Sequence, residues 1–170
     1  LSARIHAFVA MDNHFHMLIS TPQEDLGQVM MHFMRSTTHA MNFYSGRSGH
    51  VFSGRYHWSL INSDLYFAHA YKYVFRNPVR AGICGRVQDY SYSSLFGQHG
   101  FRRLAFPLFY PFGLSGYSRI PLETDPLLDW LNRPFQSEHQ MEIQKALCRT
   151  RFEFQKTGNG PKLGNCQTLL

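Results

Sequence analysis

The stretch MDNHFHMLIS, residues 11–20, sets His14 and His16 on either side of one bulky apolar residue. If the stretch is a β-strand, side chains two apart share a face and stand about 6.6 to 7 Å apart along the chain. Two imidazoles on one face can each lend a nitrogen to a single divalent ion, or they can form a hydrogen-bonded pair with no metal. Spacing alone leaves both readings open, because a chain with 10 histidines in 170 residues meets such a pair by chance. A second stretch, YKYVFRNP at 71–78, adds a phenol and an amide. Tyr73 and Asn77 are four apart, so on a helix they lie on one face, one turn from each other. There the amide oxygen could join the His pair as a third ligand beside a tyrosine nucleophile. Equally, Tyr73 could be core packing and Asn77 the end of a helix before Pro78.

The patterning supplies elements for both stretches. Residues 4–11 and 14–20 read as strands, and Asp12 with Asn13 has hairpin-turn chemistry. Thr21, Pro22 and Glu24 predict a capping box at the start of a helix over 22–45, whose apolar stripe runs from Leu26 through Met30, Phe33 and Met34 to Met41 and Tyr44. A β-rich segment follows Gly54. Ser63 and Asp64 then cap a second helix over 63–77, which Pro78 is expected to bend or stop. Residues 79–99 read as a short helical turn closed by Gly82 and an ordered loop, and 100–123 as an irregular linker rich in aromatics, Pro and Gly. Helices are expected at 124–132 and 137–156, the second with Ser137 and Gln140 in capping-box positions, and a mobile tail at 157–170.

Composition narrows the class. A hydrophobic fraction of 44% supports a buried core, and no apolar run reaches the roughly 18 residues of a membrane span. We therefore expect a soluble, cytoplasmic chain that does not enter a membrane. Cys84, Cys148 and Cys166 are too scattered for a disulfide framework or a thiolate zinc site. Lys and Arg number 17 against 11 Asp and Glu, for a net charge of +6, and aromatics make up 15%. Positive charge interleaved with rings suits phosphates and unpaired bases, so nucleic acid is the favoured partner class.

Four stretches in order, AFVAMDNHFHMLIS, SGHVFSGRYHWSLI, YKYVFRNPVRAGI and DYSYSS, resemble the REP-associated tyrosine transposases, a branch of the HUH single-tyrosine transposases, over about residues 3–97. The family's His, hydrophobic residue, His signature matches His14, Phe15 and His16, and its catalytic tyrosine, four before the Asn of an Asn-Pro pair, matches Tyr73 rather than Tyr71. The resemblance implies metal ligation by His14, His16 and Asn77, with Mg²⁺ or Mn²⁺ as the cofactor. It implies cleavage of single-stranded or hairpin DNA, bacterial and nucleoid-associated, through a 5′-phosphotyrosine intermediate followed by strand transfer, as in DNA transposition and recombination. Arg55 and Arg80 fall inside the matched stretches, and Arg35, Arg47 and Arg76 are further candidates for the DNA path, as is the pair Arg102 and Arg103. The implied fold is α+β: a ferredoxin-like antiparallel sheet with the two helices on one face, forming a catalytic domain over 1–99, followed by the linker at 100–123 and a helical extension over 124–156. A homodimer exchanging its tyrosine helices is an arrangement this mechanism permits. The family's first strand and helix have no counterpart here, so the numbered chain is expected to begin partway into the domain. The rival expectations are a domesticated hairpin-DNA binding protein without turnover, and a metal hydrolase that uses His14 and His16 without covalent catalysis.

Overall fold

The computed structural model describes residues 2–98, 103–104, 106–109, 120–153 and 166–169. It is a mixed α+β structure built on antiparallel pairing. Strand β1 (Arg4–Ala10) pairs with β2 (Phe15–Ser20), Ala10 lying opposite Phe15. Between them Asp12 and Asn13 make the expected turn, which the Met11 N–H closes by donating to the His14 carbonyl at 2.8 Å. Strand β3 (Trp58–Ile61) does not pair with β2. Strand β4 (Cys166–Leu169), from the stretch expected to be a mobile tail, lies between them and runs antiparallel to both, giving the order β1-β2-β4-β3. The rest of that expected tail lies outside the described residues.

Helix α1 (Leu26–Ser45) and helix α2 (Asp64–Arg80) pack on opposite faces of this sheet, not on one face as expected. The cause is strand alternation in β2, which is apolar on both sides. Met17, Ile19 and Phe15 meet α1 through Met30 and Phe33, whereas Leu18 joins Ala7, Val9 and Ile61 under α2. That alternation also decides the side on which the histidines stand, since His16 shares the α2 face with Leu18.

The helix ends also depart from expectation. Helix α1 starts at Leu26 because Thr21 to Glu24 form a separate turn, the Glu24 N–H donating to the Thr21 carbonyl at 2.9 Å, with Glu24 at φ 55. A left-handed residue cannot sit inside a right-handed helix, so the capping box does not form. Helix α2 starts as expected, with the Ser63 hydroxyl accepting from the Tyr66 N–H at 3.2 Å, but it runs through Pro78 to Arg80. Proline lacks the N–H that would meet the Val74 carbonyl, but the ladder resumes beyond it, the Ala81 N–H donating to the Asn77 carbonyl at 2.9 Å. The Asn77 side-chain amide donates to the Tyr73 carbonyl at 2.9 Å.

Beyond α2, a 3₁₀ turn (Val87–Asp89) and helix α3 (Ser94–Gln98) guard the free edge of β1: the Ala10 N–H donates to the Tyr92 carbonyl at 3.0 Å and the Phe8 N–H to the Ser94 hydroxyl at 3.0 Å. Paired edges of this kind close a sheet to further strand addition. Helix α4 (Thr124–Asn132) falls where expected. Helix α5 (Ser137–Leu147) is shorter than expected and makes no side-chain cap at its start. Residues after it turn extended instead, and Thr150 and Phe152 hydrogen-bond to Leu60 along the outer edge of β3. Burial of Ile143, Ala146 and Leu147 in the same cluster as Val74 and Phe75 ties α5 to α2.

Candidate functional site

The hairpin turn places His14 just before β2 and His16 inside it, on the α2 face. Their Nε2 atoms are 3.1 Å apart. The Nδ1 of His14 lies 2.7 Å from the Asn13 side-chain oxygen, and since an amide oxygen only accepts, that nitrogen donates and Nε2 is the one that faces His16. The other ring is 6% exposed, and its Nδ1 is buried without a hydrogen-bond partner. Burial, the nearby His14 and the Arg80 guanidinium push the His16 pKa down to about 3, so this imidazole is neutral and able to coordinate at physiological pH.

Tyr73 arrives from α2. Its ring packs edge-on against His16, with centroids 5.9 Å apart, and the Arg80 guanidinium stands 5.7 Å from the centre of the Tyr73 ring. Arg80 reaches that place because α2 continues past Pro78: positions 73, 77 and 80 fall on one helical stripe. The phenol is 8% exposed. Burial pushes its pKa above the usual value, while Arg80 and a hydrogen bond from the Gln144 side chain of α5 pull the other way and Cys148 adds a small upward push. Arg80 and Gln144 thus favour the phenolate in a setting that otherwise disfavours it. Tyr71, two residues earlier, stacks on Phe67 at 6.3 Å and meets Phe75 edge-on at 4.9 Å in the core.

Asn77 is 2% exposed and belongs to the same stripe, but its polar atoms are turned into the helix. Nδ2 donates to the Tyr73 carbonyl at 2.9 Å, and Oδ1 accepts from Arg80 at 3.2 Å. It would have to exchange the Arg80 contact to serve as a ligand.

The fit of a metal can be judged from the donors. Two nitrogens each about 2.1 Å from one ion, at angles between square and tetrahedral, are about 3.0 to 3.4 Å apart, and the observed 3.1 Å lies in that interval. Among the described residues no group of three or more His, Cys, Asp or Glu converges. The protein therefore offers two imidazoles, and remaining positions would fall to neutral oxygens and substrate phosphate. That donor set fits a divalent cation bound together with an anionic substrate.

The arginine candidates separate. Arg80 is in the site. Arg76 is committed to structure: one guanidinium nitrogen donates to the Leu131 and Asn132 carbonyls, at 3.0 and 2.6 Å, and so closes the C-terminus of α4. Arg35 and Arg47 are exposed on α1 and just beyond it, on the far face of the sheet from Tyr73. Arg35 lines an open groove of about 440 Å³ with His39, His50 and Phe52. Arg55 is exposed beside the Tyr56 ring at 5.9 Å, and Arg103 is exposed, while Arg102 lies outside the described residues. Sequence reading missed Gln144 and Cys148, since nothing local marks a residue whose role depends on where α5 docks.

Comparison with family models, with curated proteins and with solved structures returned no match.

Proposed function

We propose that this chain is a metal-dependent nuclease and strand transferase for single-stranded, hairpin-forming DNA, with Tyr73 as nucleophile, of the REP-associated tyrosine transposase type. The observation that carries the reading is the meeting of four groups from two elements: the paired Nε2 atoms of His14 and His16 from the hairpin, and Tyr73 with Arg80 from α2. The antiparallel order β1-β2-β4-β3, with α1 crossing between β2 and β3, supports a ferredoxin-like sheet as the scaffold.

His14 and His16, with Asn77 once released by Arg80, would hold a Mg²⁺ or Mn²⁺ ion, which would neutralise charge on the scissile phosphate. The Tyr73 oxygen attacks phosphorus. A Tyr–O–P bond to the 5′ side forms as the P–O3′ bond breaks, and the leaving 3′ oxygen takes up, by way of solvent, the proton that the phenol gives up, becoming a free hydroxyl. Arg80 holds the phenolic charge before attack and the phosphate charge after it. One phosphate ester replaces another, so the product keeps the bond energy needed for strand transfer. Positive charge and aromatic rings on the rest of the chain suit a DNA partner.

The burial of Tyr73 favours a second reading, a hairpin-DNA binding protein without turnover. Incubation with a labelled hairpin oligonucleotide and Mn²⁺, resolved on a denaturing gel, separates the two. A slow-migrating covalent band with wild type and none with Tyr73→Phe is expected; binding without any band would leave the second reading standing.

A further inference from the structure

Helix α2 carries a second stripe beside the catalytic one. Lys72 and Arg76 are four apart, and Lys72 is rotated about 100° from Tyr73 toward α4. Lys72 is 7% exposed, an unusual depth for a lysine. Its ammonium stands 5.0 Å from the centre of the Trp130 ring and 5.1 Å from that of Phe135. Burial, and after it the repulsive charges of Arg76 and Arg133, lower its pKa to about 8. Arg76 is compensated by the α4 carbonyls it caps. Among the described residues Lys72 meets its two rings and no carboxylate.

A methionine would fill the same cleft and cost nothing in desolvation. Local rules broken without a compensating partner mark functional positions. We propose that Lys72 and Arg133, framed by Trp130 and Phe135 and backed by Arg76, form a binding site for a backbone phosphate of the DNA substrate, distinct from the scissile phosphate held at His14, His16 and Tyr73. The site takes an anion because Lys72 lies against Trp130 and Phe135, on either side of Arg133 in the chain, with no carboxylate among the charges acting on it, and a phosphodiester because that is the anion the proposed substrate presents next to α2. The two rings hold the ammonium in place. This gives the C-terminal extension a role in holding DNA. The inference rests on the DNA-binding part of the proposed function but not on catalysis.

Fluorescence anisotropy of the full chain with a labelled hairpin, between about 50 and 200 mM salt, tests it. One phosphate contact contributes about 0.7 to 0.9 to the slope of log affinity against log salt, so wild type should lose roughly threefold more affinity over that range than Lys72→Met. Arg133→Gln, at an exposed position, should lower the slope in the same way and serves if Lys72→Met does not fold. A wild-type slope in both variants overturns the phosphate site while the transposase reading survives. A reduced slope in a protein that forms no covalent adduct upholds the phosphate site and removes the catalytic reading. No hairpin binding by wild type removes both.

Discussion

Among single residues, what is unusual about Tyr73 is that its surroundings oppose ionisation while two neighbours support it. Burial raises the phenol pKa, and Arg80 and Gln144 act against that rise. Replacing Arg80 with Gln should therefore move the alkaline rise in the rate of adduct formation to higher pH, as a single-turnover pH profile would show; an unshifted profile would mean that Arg80 does not act on the phenol. Two other buried groups set a pH dependence of stability. His6 and His16 both have folded pKa values below 6.5, chiefly through burial, and His16 lies at about 3. The unfolded chain takes up these protons first, so stability should be level above about pH 6.5 and fall as pH drops below it, by at most about 1.4 kcal/mol per unit for each group. Urea melts in EDTA from pH 7.5 to 5 should show the decline, and His6→Gln should make it shallower. His14, His16 and Tyr73 were legible in the sequence because a hairpin turn and a helical repeat fix their phase locally. The role of Arg76 was not, since it depends on the last carbonyls of α4, 55 and 56 residues away in the chain.

Elements explain why those residues meet. The His pair and Tyr73 face each other because β2 presents odd and even positions to different helices, and the even ones to α2. Apolar spacing revealed both helices but not the sides they take, because a strand buried on both faces carries no alternation to read. Likewise Pro78 signals a break, yet the ladder resumes with the Ala81 N–H on the Asn77 carbonyl, and the extra turn brings Arg80 to the phenol. The start of α2 rests on Ser63. Ser63→Ala should cost about 1 kcal/mol by denaturant unfolding, since it removes the acceptor of the Tyr66 N–H. No change would mean that the helix start is held by packing alone.

For the molecule as a whole, β4 is the piece that the sequence concealed. Four residues near the C-terminus bridge β2 and β3, which do not otherwise pair, and the turn-rich composition before them suggested a tail. Strand partners so distant in sequence are chosen by the shape of the remaining sheet, which no local pattern encodes. Ending the chain after residue 165 should thus lower the unfolding midpoint and weaken adduct formation, because β2 loses the neighbour that fixes the His16 strand. Equal stability and activity in that shortened chain would show that β4 is dispensable to the sheet.

The account stands on Tyr73 being the atom source of the protein–DNA bond, and mass mapping of the adduct addresses that directly. Trypsin cuts after Lys72 and Arg76, so Tyr71 and Tyr73 fall on different peptides. After reaction with a hairpin oligonucleotide and Mn²⁺ and digestion by nuclease and trypsin, the nucleotide mass is expected on the peptide spanning residues 73–76. Nucleotide found on any other tyrosine would contradict the account.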